Sequence, residues 1–185
     1  MKPFLVKDLM VPLSEYATVS EDATLFEAVC ELEKAQEEFD HTRYRHRAVL
    51  VYNKQGHIVG KISQFDVLRA LEPKYDELQD QDSLQRFGFT KKFMQTMLKH
   101  YQLWATPLED ICRNAGKQKV SRFMHTPREG EFVDENAGMD EAIHQLLLGQ
   151  HQSLLATRGS EIVGILRLTD VFGAMFHTMK ESFDE

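Results

Sequence analysis

The chain contains the stretch AVLVYNKQGHIVGKISQFDVL at residues 48–68 and a second version of it, QSLLATRGSEIVGILRLTDVF, at residues 152–172. In each version two apolar runs flank a polar turn. Each also carries Ile-Val-Gly, followed six residues after the glycine by an aspartate, Asp66 or Asp170. Apolar runs around a short polar turn are typical of a β-hairpin. The sequence therefore predicts two hairpins, with strands at Ala48–Tyr52 and Ile58–Ser63, and at Leu154–Thr157 and Ile162–Arg167.

The repeat extends toward the amino terminus from each hairpin. VKDLM (6–10) matches VSRFM (120–124), and TVSEDATLFEAV (18–29) matches FVDENAGMDEAI (132–143), at a constant offset of 114 residues. The hairpins are offset by 104 residues, so the first copy is ten residues longer, around EEFDHTRYRHR (37–47). A match that holds in two registers indicates a duplicated structural unit.

A strand and a helix are predicted between the amino-terminal match and the hairpin of each copy. Ala17–Val19 and Glu131–Val133 are predicted to be short strands, and the apolar positions that follow them recur at helical spacing. In the first copy Thr24 and Glu27 have the spacing of a capping box. A second helix is expected after each hairpin, beginning at the aspartate of the motif.

The order of elements is strand, helix, strand, strand, helix in both copies. It predicts an α/β (α+β) fold with a first repeat at residues 1–71, a helical insert at 72–119 and a second repeat at 120–185. The acidic start of the insert, Glu72–Asp82, is expected to be solvated. Further on, apolar residues recur at helical spacing at Met94, Met97, Leu98 and Tyr101, and Trp104 follows. Such a stripe usually belongs to a core, which we expect here, and a partner-binding surface is the alternative.

Composition is that of a soluble globular protein. The 185 residues are 42% apolar and 28% charged, with a net charge of −7, which disfavours binding to nucleic acid backbones. There is no apolar run long enough to predict a membrane span, and residues 1–20 lack the apolar run of a signal peptide. Cys30 and Cys112 have neither disulfide-framework nor zinc-site spacing. The chain is therefore expected in the cytoplasm, with neither nucleic acid nor membrane as a partner.

Chemistry is expected at the motif that closes each hairpin, Gly60–Asp66 and Gly164–Asp170. There a strand runs into a helix amino terminus, whose unpaired N–H groups and dipole favour an anion such as a phosphate. Ser63 offers a hydroxyl at this end, and Asp66 offers two carboxylate oxygens that can accept from both hydroxyls of a ribose. The alternative is that Asp66 and Asp170 only cap their helices.

Tandem units of this order, with Val-x-x-x-Met leading in and Gly-(apolar)-x-(Ser/Thr)-x-x-Asp closing, resemble a pair of cystathionine-β-synthase (CBS) domains, a Bateman module. The resemblance covers about residues 4–71 and 118–180 and leaves the insert unmatched. It implies two repeats packed about a pseudo-twofold axis, with two clefts for adenosine-containing ligands. It also implies a module that commonly dimerises into a flat disc and senses energy state or metabolites.

In the first cleft the resemblance implies that Asp66 holds the ribose and Ser63 a phosphate. It also implies that Thr18, Val19 and Ser20, at the first strand, line the adenine pocket. These five residues are the ligand-binding candidates of the first repeat.

The second cleft departs from the family pattern, because Arg167 stands at the hydroxyl position. An arginine can clamp a phosphate through charge-assisted hydrogen bonds, or it can fill the cleft with its own side chain. Both alternatives stay open at this point. Thr169 and Asp170 remain the other ligand-binding candidates of this repeat.

A basic run, His41–Arg47, precedes the first hairpin. Arg47 lies directly before the strand and is the candidate to supply charge to a phosphate tail, with His151 as its counterpart. The alternative is a solvated loop paired with the acidic residues just before it.

Motifs of catalysis are missing from the sequence. The histidines have no metal-ligand spacing, and neither a Walker motif, a Gly-x-Gly-x-x-Gly nor a nucleophile turn occurs. The chain is therefore predicted to be a regulatory module, not an enzyme, that binds an adenine nucleotide and signals to an effector protein or within its own homodimer. AMP or ADP is expected in preference to ATP, S-adenosylmethionine is another candidate, and no metal or covalent cofactor is expected. The alternative is a ligand-free interaction module that uses the helical insert.

Overall fold

The computed structural model describes residues 4–37, 47–74 and 90–183. Of the basic run before the first hairpin, only Arg47 falls within these ranges. The helices in them are α1 (Val6–Leu9), α2 (Leu25–Glu37), α3 (Gln64–Ala70), α4 (Lys91–His100), α5 (Leu108–Gly116), α6 (Met139–Gly149) and α7 (Leu168–Phe183). The strands are β1 (Val11–Pro12), β2 (Thr18–Ser20), β3 (Ala48–Tyr52), β4 (Ile58–Ser63), β5 (Phe132–Asp134), β6 (Ser153–Arg158) and β7 (Glu161–Arg167).

Two mixed sheets carry the duplication, with strand orders β2-β3-β4 and β1-β7-β6-β5. In both, the hairpin strands are antiparallel and the strand before the first helix runs parallel to the first hairpin strand. The register shifts at the same place, next to the pair Val51–Gly60 and next to the pair Ala156–Gly164. The predicted α+β fold of two repeats is confirmed.

Each repeat begins with a lead segment, residues 5–16 in the first repeat and residues 119–130 in the second. The two lead segments are exchanged between the repeats. β1 pairs with β7 of the second repeat, with Val11 opposite Ile165. In the other direction, the N–H of Lys61 donates to the carbonyl of His125 at 3.0 Å, and the N–H of His125 donates back at 2.9 Å. Each lead segment therefore extends the sheet of the other repeat, which the linear order of the sequence does not reveal.

The exchange is also built into the hydrophobic core. Val6 has no exposed surface and packs in the core of the second repeat, whereas Val120, equally buried, packs in the core of the first. A third cluster, with Leu50 and Leu155 at its centre, joins the two sheets. The two repeats consequently share a continuous apolar interior.

The predicted capping box of α2 is confirmed. The N–H of Thr24 donates to Glu27 Oε2 at 2.7 Å, and the N–H of Glu27 donates to Thr24 Oγ1 at 3.2 Å. The expected start of the second helices is wrong by two residues, because α3 begins at Gln64 and α7 at Leu168.

The insert differs from the sequence-based expectation. None of the residues of α4 is buried, and Met94 and Leu98 are 50% and 43% exposed, so the prediction of a core stripe is wrong for this helix. Glu72, expected to be solvated, is instead buried and accepts a hydrogen bond from the N–H of Trp104 at 2.9 Å. An amphipathic pattern fixes which face of a helix is apolar and does not say what covers that face.

Candidate functional site

The Ser63 and Asp66 side chains form a reciprocal cap at the start of α3. Asp66 Oδ2 accepts from the N–H of Ser63 at 2.8 Å and from its hydroxyl at 2.6 Å. The N–H of Asp66 donates to Ser63 Oγ at 3.2 Å. Ser63 is thus the N-cap and Asp66 the third residue of the helix, which explains the earlier helix start.

The capping role leaves Asp66 with a second oxygen. Its hydrogen bonds to other described residues are made through Oδ2, and Oδ1 accepts none from them. The side chain is half-buried and faces open space on both sides. Capping and ligand binding are therefore compatible at this carboxylate.

Two cavities meet at Asp66. Cavity A, about 710 Å³, lies between the repeats and is lined by Arg47, Lys61, Ser63, Arg167 and Thr169 among others. Cavity B, about 520 Å³, is lined by α3 and the second lead segment, including Arg69, Arg122, Phe123, Met124 and Pro127. Asp66, His125 and Arg128 line both. A ligand bound at Asp66 can extend into either cavity, and both carry cationic side chains, Arg47 in cavity A and Arg69 and Arg122 in cavity B.

Gly60 permits the close approach of the second lead segment to β4. A Cβ atom at Gly60 would lie 2.6 Å from the sulfur of Met124 and 3.2 Å from the carbonyl oxygen of His125. Glycine at this position therefore brings the wall of cavity B against the hairpin that carries Ser63 and Asp66.

A buried carboxylate, Glu131, joins the two repeats in the wall of cavity A. It accepts from Lys61 Nζ at 2.8 Å, contacts His125 Nε2 at 2.5 Å and accepts from the N–H of Arg128 at 3.1 Å. Burial alone raises the pKa of Glu131, but these hydrogen bonds outweigh it and bring the pKa down to about 2. Glu131 is therefore ionised at neutral pH, and its charge is balanced by Lys61.

The second repeat has a different arrangement at the matching place. Arg167 Nε and a terminal guanidinium nitrogen donate to the two carboxylate oxygens of Asp170, each at 2.6 Å. Arg167 is only 5% exposed. Tyr16 lies close by, and burial raises its pKa to about 12, with Arg167 lowering it and Asp170 raising it. Of the two sequence-based alternatives for Arg167, the geometry matches a side chain that fills the space itself.

The predicted site residues separate into two groups. Ser63, Asp66, Arg47, Arg167 and Thr169 line cavity A, and Asp170 is held by Arg167 at its edge. Thr18, Val19 and Ser20 line neither cavity.

The position of β2 explains why Thr18, Val19 and Ser20 lie apart. The strand order puts β3 between β2 and β4, so β2 lies about 10 Å from the strand that ends at Ser63. Val19 is buried in the core of the first repeat. The other edge of β4 is taken by the second lead segment, which lines the cavities instead.

Sequence reasoning missed the contribution of the second lead segment, His125 and Arg128 above all. It also paired Arg47 with His151, whereas the backbone pairs it with Gln152. The N–H of Gln64 donates to the carbonyl of Arg47, and the N–H of Leu168 donates in the same way to Gln152. The repeat marks this segment as an element of each copy, but the order of the sequence does not show which hairpin it pairs with.

Residues 6–73 match the family model of the CBS domain. Together with the solved structures of CBS-domain proteins that share its fold, this match confirms the resemblance to a tandem CBS-domain pair. The described residues have the fold of these CBS-domain structures.

The similar solved structures cover nearly all of this chain. CBSX2, crystallised in complex with AMP, is 18% identical with a TM-score of 0.59, over 95% of this chain and 98% of that one. A protein assigned to acetoin utilization, AcuB from Vibrio cholerae, is 16% identical with a TM-score of 0.59, over 99% and 98%. The CBS domain of a bacterial CNNM/CorC family Mg²⁺ transporter, in complex with ATP, is 18% identical with a TM-score of 0.57, over 91% and 84%. At these identities the likeness concerns the fold.

No curated protein matches the chain by sequence. Among the described residues, no helix has the length and apolar character needed to cross a membrane. The same residues contain no cluster of three or more His, Cys, Asp or Glu side chains able to hold a metal ion.

Proposed function

We propose that this chain is a regulatory module that binds an adenine nucleotide in the cleft around Asp66. Asp66 Oδ1, which accepts no hydrogen bond from the described residues, accepts a ribose hydroxyl while Oδ2 keeps the cap with Ser63. This single feature carries the proposal, because a carboxylate that only capped its helix would need no opening onto two cavities.

The charges around Asp66 support an anionic ligand. Arg47 and Arg128 line cavity A, which lies at the amino terminus of α3. The Ser63 hydroxyl lies at the same end. The phosphate is therefore assigned to cavity A. The base is assigned to cavity B, where Phe123, Met124 and Pro127 interrupt a lining that is otherwise mainly polar.

Two similar structures carry adenine nucleotides, AMP in CBSX2 and ATP in the transporter CBS domain. AMP or ADP is proposed here in preference to ATP, with S-adenosylmethionine as a further candidate. The chain is proposed to act as a regulator and not as an enzyme, in the cytoplasm, without nucleic acid or membrane partners.

The signal is proposed to travel through the contact between the repeats. The cavities are bounded by α3 of the first repeat and the lead segment of the second, so ligand binding changes the balance between their arrangements. A ligand shifts such an equilibrium only by its differential affinity for the two states, typically about 1–3 kcal/mol. The receiver is an effector protein or the second copy in a homodimer.

A second candidate function is a ligand-free interaction module. The observation that favours it is the exposed apolar face of α4, with Met94 and Leu98 uncovered in the described part of the chain. In that case the insert docks a partner and the cavities around Asp66 stay empty.

Calorimetric titration with AMP, ADP, ATP and S-adenosylmethionine separates the two functions. Binding of one of them, weakened about tenfold or more by Asp66→Ala, supports the nucleotide sensor. Thermal unfolding of the same variant is the control, because loss of the cap alone lowers stability and leaves affinity unchanged. If the wild-type chain binds none of the four compounds at concentrations up to about 1 mM, the interaction module is favoured.

A further inference from the structure

We propose that the two clefts of this duplicated fold are not equivalent, and that the chain binds one nucleotide, at Asp66. At the pseudo-equivalent place the Arg167–Asp170 ion pair occupies the site. This inference rests on the proposed function and adds to it the choice of cleft and the stoichiometry.

The two aspartates differ in what remains of their carboxylates. Asp66 uses Oδ2 for its cap with Ser63 and keeps Oδ1 for a ligand. Both oxygens of Asp170 are taken by the guanidinium of Arg167, which stands where the first repeat has Ser63. A ribose at Asp170 would therefore have to displace a bidentate charge-assisted pair.

Displacing Arg167 is costly because of its surroundings. Its side chain and that of Asp170 are 7% and 15% exposed, so neither reaches bulk water on separation. Removing one partner from a buried ion pair leaves an uncompensated charge, which is among the most destabilising local changes. A nucleotide at the second cleft would bear this cost, whereas one at Asp66 would not.

The charges around the two clefts point the same way. Besides Arg167, five lysine and arginine side chains line the cavities at Asp66, and the strand register and the offset of the lead segments identify their counterparts in the other repeat. Arg47, Lys61, Arg69, Arg122 and Arg128 correspond in that order to Gln152, Ile165, Gly173, Asp8 and Ser14. None of these counterparts is cationic and one is an aspartate, so a phosphate is attracted more strongly to the first cleft.

The test is a titration with ADP of the wild-type chain, Asp66→Ala and Asp170→Asn. We expect one nucleotide per chain, affinity lowered at least tenfold by Asp66→Ala, and affinity within twofold of wild type for Asp170→Asn. Two nucleotides per wild-type chain, or a tenfold loss in Asp170→Asn, would overturn the inference. If Asp170→Asn does not fold, a crystal of the wild-type chain grown with excess ADP decides, since a ribose bound to Asp170 contradicts the proposal and a single nucleotide with its ribose at Asp66 supports it.

Failure of the proposed function has a different signature. If the wild-type chain binds none of AMP, ADP and ATP, the proposed sensor function is wrong. Titration with inorganic tripolyphosphate then tests only whether the two clefts differ in charge. One bound equivalent, lost in Arg128→Gln, supports unequal clefts. Two equivalents or none would overturn them.

Discussion

The residue three positions before each aspartate, Ser63 or Arg167, determines which of the aspartate's carboxylate oxygens are hydrogen-bonded. The hydroxyl of Ser63 donates to one carboxylate oxygen of Asp66, whereas the guanidinium of Arg167 donates to both carboxylate oxygens of Asp170. With the same backbone motif, Asp66 therefore has an oxygen that accepts from no described residue, whereas both oxygens of Asp170 are hydrogen-bonded.

Glu131 is expected to make stability depend on acid pH. Its pKa falls from an ordinary 4.5 to about 2 on folding, so its contribution is complete above about pH 4.5 and is lost as the pH falls toward 2. Urea unfolding of wild type and Glu131→Gln should show a stability difference at pH 5.5 that shrinks by pH 3. Glu129→Gln, an exposed change in the same turn, is the control, and an equal pH dependence of both variants would contradict the assignment.

At this scale the sequence predicts the residues of the hairpin motif and fails for those of the lead segment. Ser63 and Asp66 are adjacent along the chain to the helix terminus that gives them their role. His125 and Arg128 reach the cavities only because the lead segments are exchanged, and that exchange depends on long-range strand pairing. Thr18, Val19 and Ser20, which the resemblance assigns to an adenine pocket, lie beyond β3 from Ser63 and line neither cavity.

At the scale of elements, β1 packs directly against Gly164 and the second lead segment packs directly against Gly60. A side chain at either glycine would clash with the packed segment. A Cβ atom at Gly164 would lie 2.7 Å from the carbonyl oxygen of Val11 and 2.9 Å from the sulfur of Met10. The first of these contacts is with backbone, which cannot move aside as a flexible side chain can.

Gly164→Ala is therefore expected to push β1 away from β7. The overpacking should cost about 1–3 kcal/mol in the free energy of unfolding, measured by urea denaturation. Gly130→Ala is the matched control, because a Cβ atom there meets nothing within 4 Å. Equal stability of the two variants would show that β1 does not approach β7 as closely as described.

The hairpins and the capping box of α2 were predictable, whereas the starts of α3 and α7 and the exposure of α4 were not. Apolar runs on either side of a short turn define β3 and β4 locally, and the bounds of both strands match the prediction. The start of α3 depends on whether serine or aspartate supplies the N-cap, a choice that spacing leaves open. The apolar face of α4 has the pattern of a packed helix, although the described residues leave it uncovered.

At the scale of the whole molecule, α3 and α7 present apolar side chains to solvent at matching positions. Leu68 and Phe172 share the 104-residue offset and are 61% and 65% exposed, and Phe176 and Met179 continue the face along α7. A face repeated by pseudo-symmetry suits a partner that is a second copy of the chain. It is the surface to which we assign the proposed homodimer.

A charge on this face should separate the dimer. Phe172→Glu is expected to lower the mass measured by light scattering from that of a dimer to that of a monomer, because a carboxylate would be buried at an apolar contact. Leu148→Glu, at an equally exposed leucine of α6, should leave the mass unchanged. Dimers of both variants would place the interface elsewhere.

The most direct test of the account is a crystal structure of the wild-type chain grown with saturating ADP. The account predicts a ribose hydroxyl within hydrogen-bond distance of Asp66 Oδ1, with the cap between Asp66 Oδ2 and Ser63 intact and the phosphates in cavity A. A nucleotide bound away from Asp66, or an Asp66 carboxylate that contacts Ser63 alone beside a bound nucleotide, would contradict it.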